Sequence, residues 1–144
     1  MMGDREGSAK RIIPFREGLF RIPSESGEKA CLFGSRCEAC GQLSFPPRKV
    51  CSKCFSEQTE ILPLSTQGTL YTYTIVDYPA PGLVGPYAIG YIDLPEGVRV
   101  FSILEDWDRK NLKIGMNMEL TLGKFKEDME GNEIVTYKFR PVKE

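Results

Sequence analysis

The stretch CEACGQLSFPPRKVCSKC, Cys37 to Cys54, places two Cys-x-x-Cys pairs ten residues apart in a chain of 144 residues. Each pair can turn two thiolates toward one ion, and two such turns complete the tetrahedral set that zinc takes in structural sites. The ligands on this reading are Cys37, Cys40, Cys51 and Cys54. Gly41, directly after the first pair, suits a sharp turn with positive φ beneath the sulfurs. Phe55 follows the second pair, so the two turns are expected to differ. Phe45, Pro46 and Pro47 between them read as a short stiff arm, which leaves a zinc ribbon with almost no apolar core of its own. A rubredoxin-like iron site uses the same ligand set and stays open as an alternative. A dithiol redox pair fits less well, because one active Cys-x-x-Cys needs no second beside it. Four thiolates leave no vacant position for water, so the metal is read as structural rather than hydrolytic.

The bulk composition narrows the setting. Lys and Arg number 19 against 20 Asp and Glu, a formal charge of −1, which exerts no long-range pull on nucleic acid or anionic membrane. Hydrophobic residues make up 41%, enough for a packed core. No apolar run is long enough to span a bilayer, and MMGDREGSAKR lacks the apolar region of a signal peptide, so the expected compartment is the cytoplasm. A reducing compartment argues against structural disulfides. The fifth cysteine, Cys31 in ACLFGSRC, reads as a small buried hydrophobe outside the metal set. The chain contains no histidine, so a cysteine nucleophile would lack its usual base, and no catalytic residue is assigned to this chain.

Three parts follow: an N-terminal arm over 1–30, the ribbon over 31–64 and a barrel over 65–144. In the arm, Arg16–Phe20 (REGLF) reads as a fragment of helix bracketed by Pro14 and Pro23, and Ser24–Lys29 as a polar turn. Ile12, Ile13, Phe15, Leu19, Phe20 and Ile22 would anchor the arm on some surface; a frayed tail is the other reading. Glu57–Gln67 reads as a linker. Beyond it, five segments rich in Thr, Tyr, Ile and Val or with alternating polarity read as strands: Gly68–Tyr78, Tyr87–Leu94, Val98–Glu105, Asn117–Phe125 and Glu133–Arg140. Sheets this short hide their edges by closing, so the fold class is mostly β, with a five-stranded barrel of the oligonucleotide/oligosaccharide-binding (OB) type. Gly68 and Gly90 are expected bending points. The loop Asp77–Pro86 (DYPAPGLVGP) carries Leu83 and Val84 with one charge, and either folds back over the barrel or meets a partner or ligand.

The order of these pieces resembles a known family. Cys37-Cys40-Gly41, Phe45-Pro46-Pro47-Arg48, Cys51-Cys54, Gly68–Val76, Tyr87–Leu94 and Leu112–Met116 together are similar to the acyl-CoA-associated family that joins a rubredoxin-like zinc ribbon to an OB-fold domain. The likeness covers about residues 15–140. It implies a small accessory subunit of a thiolase or related condensing enzyme, as part of a hetero-oligomer whose large subunit carries the catalytic residues. Such a subunit docks beside the active-site entrance and helps form the acyl-CoA binding region, so CoA enters as a substrate shared within the complex. The branch it most resembles serves anaerobic toluene degradation, where benzoylsuccinyl-CoA is cleaved to benzoyl-CoA and succinyl-CoA. Members of the family carry a more helical N-terminal arm than the Pro23–Gly27 break here suggests.

If the chain touches CoA, the phosphates need Arg or Lys, and Arg48, Lys49 and Lys53 cluster on the ribbon. An ordinary solvated face is the plainer reading of the same three residues. Partner contact is expected at Asp77–Pro86 and at Phe15–Ile22, where apolar residues occur without a strand pattern to bury them. The rival function is binding of single-stranded nucleic acid on a barrel face, with Tyr71, Tyr73, Tyr78, Tyr87 and Tyr91 as stacking rings. Against it, no stripe of Arg or Lys runs along the strands.

Overall fold

The computed structural model describes residues 11–23 and 29–142. The turn expected at Ser24–Lys29 lies, apart from Lys29, outside them, as do the first ten residues of the arm. In chain order the strands are β1 (Ile12–Pro14), β2 (Phe20–Arg21), β3 (Cys31–Cys37), β4 (Leu43–Ser44), β5 (Thr59–Pro63), β6 (Gln67–Val76), β7 (Tyr87–Asp93), β8 (Arg99–Leu104), β9 (Asn117–Glu127) and β10 (Glu133–Pro141). Among the described residues no helix is long and apolar enough to cross a membrane.

The fold is all-β, and its larger part is a closed five-stranded OB barrel. β6, β7 and β8 form an antiparallel meander, β9 pairs with both β6 and β10, and β10 meets β8 in parallel at Lys138↔Ile103 and Phe139↔Leu104. That parallel contact closes the ring. Because successive strand residues face opposite sides, the alternating apolar positions fill the interior: Leu70, Ala88, Ile92, Val100, Leu104, Met118 and Phe139 are all buried. Gly90 is required by close approach: a Cβ there would lie 2.6 Å from the backbone oxygen of Thr72, beside the irregularity at Leu70/Thr72.

The ribbon is a small sheet centred on β3, which pairs with β2, β4 and β5. The segment Glu57–Gln67 is therefore not a plain linker. Its Thr59–Pro63 part pairs antiparallel along β3, where Ile61 stands opposite the buried Ser35. Nor does the ribbon stand alone, since Leu19, Phe20, Leu32 and Leu64 belong to one continuous core with the barrel. Tyr137 of β10 is the pivot. Its ring meets Phe20 edge-on at 6.0 Å and Phe45 at 5.6 Å, and its hydroxyl donates to the Phe101 carbonyl at 2.8 Å. A second tie joins the parts: the Ser65 N–H and hydroxyl donate to one carboxylate oxygen of Glu96, at 2.7 and 2.8 Å.

The arm departs from expectation. Arg16–Phe20 is not helical; the chain turns through Gly18 at φ 89° and enters β2. Upstream, β1 adds in parallel to β10, Ile12↔Glu133 to Pro14↔Val135. The described part of the arm rests on the chain's own barrel and ribbon.

Candidate metal centre and adjoining surfaces

The four cysteines of the two pairs converge. Their sulfurs all lie within 4.8 Å of one another, with Cys37 and Cys54 at 3.5 Å and Cys40 and Cys51 at 3.6 Å. A tetrahedron with metal–sulfur bonds of about 2.3 Å has edges of about 3.8 Å, so the set is consistent with a structural zinc site. Cys31 is buried in β3 and stands outside it.

The two turns beneath the sulfurs are the same turn twice, contrary to the expectation drawn from Phe55. Gly41 N–H donates to the Cys37 carbonyl at 2.8 Å, and Phe55 N–H to the Cys51 carbonyl at 2.9 Å. Cys37 N–H and Cys51 N–H donate to the carbonyls of Gln42 and Ser56, each at 2.9 Å. Gly41 holds φ 82° and Phe55 holds φ 66°. The pull of two ladder-like bonds on each knuckle overrides the steric preference of a side chain that costs about 1–2 kcal/mol in this region. Phe55 is 76% exposed and loses few contacts if removed. Phe55→Gly should therefore stabilise the ribbon by about 0.5–1 kcal/mol, measured as a higher Tm or slower loss of metal to a chelator.

Backbone donors tune the thiols. The N–H groups of Cys54 and Lys53 point at the Cys51 sulfur, at 3.5 and 3.3 Å, and bring its pKa down to about 6. The Cys40 N–H lowers that of Cys37 in the same way, from 3.4 Å. For Cys54 the Ser56 N–H favours the thiolate, but the Cys37 sulfur, burial and the other two sulfurs outweigh it and push the pKa up to about 12. Crowded thiolates of this kind call for a cation between them.

Arg48, Lys49 and Lys53 lie on the exposed side of the ribbon and form no ion pair with the described residues. The Arg48 backbone is tied down by its N–H donating to the buried Ser35 hydroxyl at 2.8 Å, while the residue itself is exposed. The loop Asp77–Pro86 projects outward rather than folding over the barrel. Asp77 is held by Arg109, the Leu83 N–H donates to the Ala80 carbonyl at 3.1 Å, and Tyr78 and Val84 are 95% and 89% exposed. The segment Phe15–Ile22 does not offer the apolar surface expected of it. Leu19 and Phe20 are buried in the chain's own core, and Phe15, edge-on to Phe125 at 5.2 Å, is the half-exposed remainder.

The five tyrosines do not form one stacking face. Tyr73 packs on the core with its hydroxyl donating to the Leu112 carbonyl, whereas Tyr71 and Tyr91 are exposed on the barrel exterior. Arg99 stacks over the Tyr71 ring at 3.5 Å but is paired with Asp93, at 2.6 Å. Phe101, opposite Tyr91 and edge-on to it at 5.5 Å, belongs to this exterior and was not singled out by the sequence reading, although the alternation of VRVFSILE turns it outward.

Comparison with known proteins agrees with this architecture. Residues 32–60 match the family model for the ChsH2 rubredoxin-like zinc ribbon domain, and residues 62–122 the model for the ChsH2 C-terminal OB-fold domain. The chain is 37% identical to the benzoylsuccinyl-CoA thiolase subunit BbsA of Thauera aromatica, over 91% of its own length and 90% of that protein's. It is 36% identical to a DUF35 domain-containing scaffold protein of Methanocaldococcus jannaschii, covering 80% of this chain and 84% of that one. Among solved structures, a chain of the Ltp2-ChsH2(DUF35) aldolase superposes with a TM-score of 0.64 at 28% identity, covering 77% of this chain and 84% of the other. Four converging cysteines on a ribbon that shares its core with a closed barrel, and near full-length likeness to BbsA, have one consequence: the chain belongs to the ChsH2/DUF35 family of zinc-ribbon and OB-fold proteins and is homologous to thiolase accessory subunits.

Proposed function

We propose that this chain is a non-catalytic accessory subunit of a thiolase-type enzyme, with one structural zinc held by Cys37, Cys40, Cys51 and Cys54. It docks on a thiolase-fold catalytic subunit and helps form the acyl-CoA binding region for cleavage of a β-ketoacyl-CoA. Benzoylsuccinyl-CoA, cleaved to benzoyl-CoA and succinyl-CoA, is the substrate the reading favours. The observation that carries it is the likeness to BbsA along nearly the whole of both chains. The absence of histidine from the sequence accords with chemistry performed by the partner.

The outward loop Asp77–Pro86 is the contact we assign to the partner, because exposed apolar residues held on a tied-down loop favour burial against another surface. Leu83→Asp would bury an unpaired charge there. It should weaken assembly by at least about tenfold while the isolated chain keeps its Tm. Titration of the variant against the catalytic subunit measures this, and unchanged affinity would remove the loop from the interface.

Arg48, Lys49 and Lys53, which pair with no carboxylate among the described residues, are assigned to the CoA phosphates. Replacing Arg48 and Lys49 together by Ala should raise KM for the CoA substrate of the assembled enzyme by roughly tenfold and leave kcat near its starting value. An unchanged KM with assembly intact would leave these residues as surface charge.

A further inference from the structure

β8 has one edge that the barrel only partly uses. Toward β7 it is paired throughout, from Arg99↔Asp93 to Leu104↔Ala88. Toward β10 it is paired at Ile103 and Leu104 alone, because further back the same edge of β10 is taken by β1 at Glu133–Val135. From Arg99 to Ser102, no described strand runs along the outer edge of β8. Backbone groups alternate sides along an antiparallel ladder. The Leu94 N–H donates to the Val98 carbonyl at 2.9 Å, which fixes the phase: Val100 and Ser102 bond toward β7, while Arg99 and Phe101 turn their N–H and C=O groups into the seam. There the Phe101 carbonyl accepts the Tyr137 hydroxyl, a whole side chain reaching across from β10.

Beside this edge lies an apolar cleft of about 240 Å³, lined by Phe15, Leu19, Phe101, Phe125 and Tyr137, with Ser102 and Thr136 at its wall. Among the described residues no charged side chain lines it.

We propose that the seam accepts an extended apolar segment of the catalytic subunit, which adds to β8 as a short strand across Arg99 and Phe101 and seats one side chain in the cleft. The Arg99 N–H and C=O and the Phe101 N–H, which no described strand pairs, call for another backbone, and the adjacent pocket for an apolar side chain, while the Phe101 carbonyl keeps its bond from Tyr137; this is strand addition as peptide-binding sheets use it. A second copy of this chain is the poorer occupant. Its most apolar exposed loop, Asp77–Pro86, contains Pro79, Pro81 and Pro86, which lack the N–H groups that pairing needs. The inference rests on the proposed function only for the source of the segment.

Hydrogen exchange of the full chain, alone and with the co-expressed thiolase-fold subunit, tests it. Exchange of the Arg99 and Phe101 amides should slow by at least about tenfold in the complex, while Val100 and Ser102, already bonded to β7, change little. Phe101→Ala should weaken the complex by about tenfold with an unchanged far-ultraviolet spectrum. A complex that forms with both amides exchanging as in the free chain overturns the seam proposal and leaves the accessory-subunit reading standing. Failure to form a complex at any ratio overturns that reading and, with it, this source for the strand. Should the Phe101→Ala chain not fold, the wild-type exchange result decides alone.

Discussion

Replacing Cys51 by Ala should release the metal and unfold the ribbon. Structural zinc contributes on the order of 10–16 kcal/mol of apparent binding free energy in small zinc domains, while whole domains are stable by only about 5–15 kcal/mol. The few apolar ribbon residues in the core, Leu32 and Leu64 with the partly buried Leu43 and Phe45, cannot replace that on their own. The damage should spread, because Phe45 and Phe20 would withdraw from Tyr137 at the junction with the barrel. Elemental analysis should fall from one zinc per chain to a small fraction of that, and the Tm should drop with it. Iron in place of zinc would change the metal and not the geometry.

The same site has a pH dependence with a definite sign. In the metal-free ribbon Cys51 is a thiolate from about pH 6 upward and Cys54 keeps its proton to about 12. An incoming ion therefore meets Cys51 first and must displace the proton of Cys54, so uptake releases protons. Cys51 has a depressed pKa, so its contribution is present above the ordinary thiol range and is lost as pH falls through about 6. Zinc uptake by the metal-free chain should weaken as pH falls, more steeply below about 6; an apparent zinc affinity independent of pH between 5 and 8 would contradict the ligand assignment.

Phe139→Ala should cost about 3–5 kcal/mol, the usual range for emptying a buried aromatic site. Phe139 is wholly buried, sits opposite Leu104 where the barrel closes, and its carbonyl accepts the Glu105 N–H at 2.9 Å. The cavity would therefore open at the seam that turns a sheet into a barrel. At about 3–4 °C per kcal/mol for a chain of this size, the Tm should fall by roughly 10–20 °C. A fall of less than about 5 °C would mean that the closing contact contributes little.

Much of this was legible because the signals are local. Alternation and β-branched content mark the five barrel strands, and cysteine spacing marks the metal set. What escaped depends on distant partners. Phe55 gives no sign that its backbone copies Gly41, since the cause is the shared bond pattern around both knuckles. Arg16–Phe20 has the composition of a helical turn, but Leu19 and Phe20 gain more by entering a core whose members run from Leu32 to Phe139. Ile12–Pro14 becomes a strand only because β10 offers it an edge, and Pro14 is tolerated at the end of such an edge strand. The seam beside β8 is a property of barrel closure, which no single segment encodes.

The central claim is that this chain works only as part of a thiolase-type complex. Its most direct test is to co-express it with a thiolase-fold catalytic subunit, purify by a tag on this chain, and assay CoA-dependent cleavage of benzoylsuccinyl-CoA. The account predicts a hetero-oligomer that releases benzoyl-CoA, with no cleavage by this chain alone. A chain that stays by itself at every ratio of the two subunits, or that cleaves the substrate unaided, would contradict it.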